Sequence, residues 1–250
     1  MDVKEYGQDF YRRYTQREAA DIFLPVFNRI FLPADDKRSL FGGRDSASAV
    51  FRQSDWKTVV SIPGPWWGCL ISRPTEEPGP KDENFWNPET KEWEPLRPLM
   101  RTLVEFEIDE IVHMSIPREP GLDETADLLD RDRKGQLVYK GAITTPPAAD
   151  MLPVPHYQEP CYIVADGVVF SRDGRWGIYG DTDDFTVIGG EPDLMARYID
   201  NAGGEEFLKA CFFSAAPRVP YSPGMPGKDF LLTLCDLAGW EPTPALLARK

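Results

Sequence analysis

The chain has 250 residues, of which 42% are apolar and 28% are charged, and this composition excludes a globally disordered protein. Its formal net charge is −13, because 41 acidic residues outnumber 28 basic ones, and most of its surface therefore repels nucleic acid. The same field attracts basic proteins and speeds their association, although a negative surface also serves solubility alone.

Cysteine usage and the N-terminal sequence predict a cytoplasmic protein. Four cysteines lie far apart and form no CxxC pair, so neither a zinc ribbon nor a dithiol redox motif is present. The first ten residues lack the basic segment and apolar run of a secretion signal. No apolar stretch approaches the roughly 20 residues of a membrane span. We expect reduced thiols and no contact with a membrane.

The first predicted element is a helix over residues 5–31. Its apolar side chains recur at helical spacing, beginning with Tyr6, Phe10 and Tyr14 on one face. Pro25 lies within the pattern, and a proline there removes a backbone donor and clashes with the preceding turn. The sequence therefore predicts a helix that is kinked or interrupted at Pro25.

Short strands and a proline-rich segment follow the helix. Runs rich in β-branched and aromatic residues predict antiparallel strands over 49–53, 56–62 and 66–72. Residues 63–98 contain eight prolines and several aromatic side chains. This composition favours an ordered surface excursion over a disordered loop.

The clearest predicted strand covers residues 102–114. Apolar and acidic residues alternate in its first part, as they do in a strand with one buried face. The acidic members are Glu105, Glu107 and Asp109. They would project from one strand face about 7 Å apart. Such a row costs stability unless solvent, salt or a basic partner screens it.

Helical and strand patterns then alternate with clear turns. A short helix is predicted over 125–130 and a meander of strands over 160–190. Within the meander, Asp-Gly pairs at 166–167 and 173–174 separate β-rich runs, and these residues accept the positive φ of tight hairpin turns. Further helices are predicted from Pro192 to Gly203 or Gly204, over 205–213, over 229–238 and from Pro244 with Thr243 as N-cap.

The order of these elements predicts an α+β fold. Strands occupy the middle of the chain and helices occupy both ends, which differs from the alternating pattern of a parallel sheet. We expect a central, mostly antiparallel sheet with the terminal helices packed on one face. One domain over residues 1–250 is the expected organisation, with a subdivision near 145–160 as the alternative.

Familiar catalytic and cofactor motifs are absent from the sequence. It contains no G-x-S-x-G elbow and no glycine-rich phosphate loop, and its two histidines, His113 and His156, are far apart. Cys69, with a histidine elsewhere, meets only the minimal requirement for cysteine chemistry. We expect no enzyme, no cofactor and no metal. The alternative is a metal-dependent or cysteine-based hydrolase of unknown substrate.

A second acidic cluster consists of Asp181, Asp183 and Asp184, between two strands of the meander. From 181 to 206 the sequence has eight acidic residues and one basic residue. Such carboxylates suit a solvated face, a hard cation held by oxygen ligands or a docking surface for a basic protein. For docking, Trp176 is the candidate aromatic anchor, because aromatic side chains supply binding energy while rim charges supply rate and specificity.

Residues 170–179 read FSRDGRWGIY, and the chain continues through the apolar run 185–190, which ends in Gly-Gly, to a helix at Asp193. This pattern resembles the hairpin-then-helix segment of immunity-type proteins from bacterial toxin systems, mainly over residues 160–212. The resemblance implies a small cytoplasmic protein that binds and blocks a cognate toxin, and such proteins are often acidic when that toxin is a basic nuclease. On this hypothesis the two acidic clusters contact lysines and arginines of the toxin.

Overall fold

We describe a computed structural model of the chain, over the residue ranges that follow: 12–14, 16–32, 36, 49–61, 84–87, 92–93, 97–115, 129–131, 137–139, 142–145, 167–181, 185–215 and 228–248. The helices are α1 Gln16–Ile22, α2 Leu24–Ile30, α3 Arg97–Glu105, α4 Pro192–Asn201, α5 Glu205–Ala215, α6 Lys228–Ala238 and α7 Pro244–Leu247. The strands are β1 Arg12–Tyr14, β2 Lys57–Ser61, β3 Trp86–Asn87, β4 Glu92–Trp93, β5 Ile111–Ser115, β6 Leu129–Arg131, β7 Leu137–Tyr139, β8 Ala142–Thr145, β9 Gly167–Ser171, β10 Trp176–Asp181 and β11 Phe185–Gly190.

Seven of these strands form one antiparallel sheet in the order β1-β8-β5-β9-β10-β11-β2. The remaining four strands form two separate ladders, β3 with β4 and β6 with β7. The predicted α+β class with a central antiparallel sheet is confirmed. None of the helices in the described ranges is both long and apolar enough to cross a membrane.

The predicted meander is confirmed over residues 167–190. β9, β10 and β11 are consecutive neighbours, with Gly177 opposite Phe170 on one side and opposite Gly189 on the other. At the predicted Asp173-Gly174 turn, Gly174 adopts a φ of +82° and its N–H bonds Ser171 O at 2.9 Å. Residue 166 of the other predicted turn lies outside the described residues.

The first face of the sheet packs against α2 and the segment around Phe51. A Cβ on Gly177 would come within 2.8 Å of Phe31 Cζ, and a Cβ on Gly189 would overlap the Phe51 ring. The ring centroids of Phe31 and Phe170 are 6.1 Å apart. Glycine at two strand positions therefore lets aromatic rings lie directly on the backbone of the sheet.

The second face meets the C-terminal helices at the β2 edge. Thr58 pairs with Gly189, which lies on the first face. Because side chains alternate along a strand, the neighbouring Lys57 projects from the second face. Lys57 Nζ donates to Glu205 Oε1 in α5 at 3.1 Å, and Trp240 Nε1 donates to the same oxygen at 3.1 Å. Helices thus contact both faces of the sheet. The expected packing of all terminal helices on one face is therefore not established.

The N-terminal helix prediction is correct only in part. Tyr14 lies in β1 and not in a helix, because its strand pairs with β8. The predicted interruption at Pro25 is confirmed: the helical run breaks at Phe23, and Pro25 is the second residue of α2. Residues 5–11 lie outside the described residues. Proline is tolerated at this position because the first helical N–H groups have no partner within the helix.

The predicted strand over 102–114 is wrong in its first half. Residues 97–105 form α3, and the strand β5 begins at Ile111. Leu99, Met100 and Leu103 are buried at helical spacing, and Pro98 is the second helical residue. The helical pattern of apolar residues begins at Leu99, before the alternating residues. A strand predicted from residue 102 onward therefore includes the last turn of the helix.

Other predictions have mixed outcomes. The strand over 56–62 is confirmed as β2, whereas residues 49–53 form no extended strand and include an isolated bridge between Phe51 and Phe31. Residues 129–131 form β6, so the helix predicted over 125–130 is wrong at its end. The helices after Gly190 are confirmed, including the cap in which Thr243 Oγ1 accepts from the Leu246 N–H at 3.3 Å. Residues 66–72, most of 63–98 and residues 125–128 lie outside the described residues, and the single domain stays a prediction.

Replacing Gly189 with Ala tests the close packing on the first face. The new Cβ would overlap the Phe51 ring, so we expect the free energy of unfolding to fall by about 1–3 kcal/mol in urea denaturation. In a Phe51→Leu background the added methyl has room, and the loss should be smaller. An equal loss in both backgrounds would contradict this cause.

Candidate functional site

The first predicted acidic cluster lies at the C-terminal end of α3 and in the linker to β5. Glu105 is the last residue of the helix, and Glu107 and Asp109 follow in the linker. All three residues are exposed. Because the helix extends to Glu105, they do not form the row on a strand face that the alternating pattern predicted.

The backbone of the linker turns sharply at Glu107. The Ile108 N–H bonds Leu103 O at 2.9 Å, and the Glu107 N–H bonds Val104 O at 3.1 Å. These two bonds define a Schellman motif, which requires a left-handed residue directly after the helix cap. Glu107 supplies it with a φ of +54°. Ile108 and Leu103 are both buried and provide the apolar contact that accompanies the motif.

Two other helices end in the same motif but use glycine. Gly203 follows α4 with a φ of +96°, and Gly239 follows α6 with a φ of +67°. Among the described residues, Glu107 is the one side-chain-bearing residue with a positive φ. A Cβ is disfavoured in the left-handed region. Glu107 therefore carries a backbone cost that glycine would avoid.

Arg172, on the turn between β9 and β10, holds the end of this linker. Its Nη1 donates to Glu110 Oε2 at 2.6 Å, and its guanidinium lies 6.0 Å from the Phe23 ring centroid. The hydrogen bond to Glu110 raises the pKa of Arg172, and Asp109 adds to this rise through its charge. The Arg172 N–H also bonds Glu110 O at 3.3 Å. The turn and the linker are thus joined through both side chain and backbone.

Arg175 holds the start of the same linker from the other end of the turn. Its Nε donates to Glu191 Oε2 at 2.8 Å, directly before α4. Its Nη1 donates to Phe106 O at 3.4 Å, and the guanidinium lies 5.5 Å from the Phe106 ring centroid. One arginine therefore connects the end of α3 to the beginning of α4.

A third ion pair joins α3 to α4 along their length. Arg197 Nε and Nη2 donate to the two carboxylate oxygens of Glu105 at 2.5 and 3.1 Å. This fork raises the pKa of Arg197 and holds the pKa of Glu105 below its usual range. Nearby, Asn201 Nδ2 donates to Thr102 Oγ1 at 2.9 Å. The two helices are therefore fixed by polar contacts at the exposed edge of their interface.

We call this region the Glu107 surface. It consists of Glu105, Glu107, Asp109, Glu110, Arg172, Arg175, Glu191 and Arg197. In the part of the chain that is described, Glu107 and Asp109 accept no hydrogen bond and form no ion pair, whereas the other three carboxylates are each paired with an arginine. The surface therefore presents two unpaired negative charges on a linker held in place by its neighbours.

The structure excludes Trp176 from an exposed recognition surface. Its side chain is 0% exposed and belongs to the core, so its predicted role as a partner anchor is wrong. Gly190 is its direct neighbour on β11, and a Cβ there would come within 2.9 Å of Trp176 Cβ. The absence of a side chain at Gly190 leaves room for the backbone and Cβ of Trp176.

Asp181, the one described residue of the second predicted cluster, lies at the opposite end of β10. Asp181 pairs with Phe185 there, whereas Trp176 pairs with Gly190 near the Glu107 surface. Five steps along a strand cover about 17 Å. Asp183 and Asp184 lie outside the described residues. The backbone of Asp181 therefore lies at the other end of β10 from the Glu107 surface.

The described residues offer little to the alternative of a hydrolase. No group of three or more His, Cys, Asp or Glu residues among them is arranged to hold a metal ion. Burial raises the pKa of the Cys235 thiol to about 11, which keeps it protonated and weakly nucleophilic at neutral pH. His113 lies in β5. Cys69 and His156 lie outside the described residues.

Comparisons of the chain with protein-family models, with curated proteins and with solved structures find no match. The function is therefore inferred from the chemistry of the Glu107 surface. Sequence patterns identified its three central carboxylates but missed the arginines that organise it. Arg172 and Arg175 flank a predictable Asp-Gly turn, yet Arg172 and its partner Glu110 are 62 positions apart in the sequence. No local pattern pairs residues over such a distance.

Replacing Glu107 with Gly should raise the free energy of unfolding by about 0.5–1 kcal/mol, because glycine adopts the left-handed conformation without a Cβ clash. Urea denaturation measures the change. Gly239→Ala is the matched control, since a Cβ there meets no atom within 4 Å and the substitution tests only the positive φ. It should lower stability by about 1 kcal/mol. A loss of stability in Glu107→Gly would contradict the assignment.

The Glu105–Arg197 pair should make stability depend on pH below neutrality. The pKa of Glu105 is lower in the folded chain than its ordinary value of 4.5, so the pair stabilises the fold above about pH 4.5. This contribution is lost as the pH falls through the lowered pKa. Because both side chains are largely exposed, solvent screening keeps this contribution small. At neutral pH, the urea midpoint of wild type should therefore be higher than that of Glu105→Gln. As the pH falls through the lowered pKa of Glu105, the two midpoints should converge.

Arg197→Gln provides the matched variant for this pair. It removes the partner without touching the carboxylate, and adding Glu105→Gln to it should produce no further loss of stability at neutral pH. If the two single substitutions are fully additive, the pair does not stabilise the fold.

Proposed function

We propose that the chain is an acidic binding protein of the immunity type, which acts in the cytoplasm and neutralises a basic toxin domain by protein–protein contact. It acts without catalysis and without a cofactor. Three features support this proposal: the net charge of −13, the resemblance of residues 160–212 to immunity-type proteins, and the Glu107 surface.

The observation that carries the proposal is the state of Glu107 and Asp109. Both residues are exposed, and neither accepts a hydrogen bond or forms an ion pair within the described residues, although three arginines lie on the same surface. Asp109 acts on Arg172 only through its charge. Glu107 also occupies a backbone position where glycine is more favourable. Among the described residues, no hydrogen bond or ion pair of the Glu107 side chain offsets this backbone cost. Strained backbone positions are concentrated at functional sites. A role for the Glu107 carboxylate in binding a cationic side chain would explain why this position is not glycine.

The paired residues prepare the surface for binding. Arg172 and Arg175 hold the linker at both ends, so Glu107 and Asp109 have little backbone freedom to lose when a partner binds. Lysine or arginine side chains of the toxin then approach two fixed carboxylates. Val104, whose side chain is 43% exposed on the same helix end, adds an apolar contact beside them.

The overall charge acts on the rate of encounter. A net charge of −13 attracts a basic protein from a distance, and this attraction weakens as salt screens it. Short-range contacts at the Glu107 surface then determine how the partner is oriented. Removing negative charge anywhere on the protein reduces the long-range attraction of the partner. Removing it at Glu107 and Asp109 also removes direct contacts with the partner.

The segment that carries the resemblance contributes directly to this surface. The β9–β10 hairpin presents Arg172 and Arg175 on its turn, and α4 follows the Gly189-Gly190 end of β11. Arg175 binds Glu191 at the start of α4. The hairpin-then-helix pattern thus positions the linker that holds Glu107, which supports a recognition role for the segment.

Charge reversal at Glu107 and Asp109 tests the proposal. Immunity proteins are encoded beside their toxins, so the probe is the protein encoded by the gene immediately upstream. We expect the double variant Glu107→Lys/Asp109→Lys to bind it at least about tenfold more slowly at low salt than wild type. The salt dependence of association should also become weaker. Surface plasmon resonance from about 50 to about 300 mM NaCl measures both quantities.

The matched control is Asp236→Lys/Glu241→Lys. These two residues are also exposed, and the double variant changes the net charge by the same amount. They lie at and after the end of α6, which contacts β2 at the far edge of the sheet. If association slows equally in both double variants, the effect comes from the net charge alone. The Glu107 surface would then not be part of the interface. Failure of the wild-type chain to bind the probe would contradict the immunity function.

A further inference from the structure

We draw no further inference here: the strongest candidate, the exposed Val104 side chain at the C-terminal end of α3, is an apolar contact already assigned to the proposed binding at the Glu107 surface, and nothing in the described residues shows what covers it.

Discussion

Two arginines on one tight turn connect parts of the chain that are far apart in sequence. Arg172 joins Phe23, between the N-terminal helices, to the linker before β5, and Arg175 joins Phe106 to Glu191 at the start of α4. A guanidinium suits such a junction better than an ammonium, because its planar group donates in several directions and its face stacks on aromatic rings. The position of the α3–β5 linker relative to the sheet depends on this turn.

The same contacts decide which charges of an acidic protein remain available to a partner. Glu105, Glu110 and Glu191 are each bonded to an arginine, and their charge is largely compensated. Glu107 and Asp109 lie between them on the linker, and neither forms an ion pair with a described residue, although the charge of Asp109 acts on Arg172. Although acidic residues are spread over the whole sequence, two carboxylates without an ion pair among the described residues lie close together on this linker. Local, fixed charge can orient a partner, whereas diffuse charge only raises the encounter rate.

The α3 region shows why a strong sequence pattern can be misleading. Six alternating residues fit a half-buried strand, but the helix that precedes them has its own stripe in Leu99, Met100 and Leu103. β9 cannot serve as a partner for the segment, because its ladder with β5 reaches only Ser171 before the turn begins. The chain therefore completes the helix to Glu105 and turns at Glu107. The acidic side chains remain exposed in either conformation, but their arrangement differs.

Local signals in the sequence determined the elements that depend on neighbouring residues. The break near Pro25, the Asp173-Gly174 turn, the glycines after α4 and α6 and the Thr243 cap follow from backbone preferences of one or a few residues, and the structure contains all of them. The antiparallel α+β class follows from the order of such elements. Only the tertiary structure decided that helices contact both faces of the sheet, that Trp176 is buried and that arginines pair three of the five carboxylates on the Glu107 surface. These features depend on contacts between distant residues, and such contacts leave no periodic trace in a single sequence.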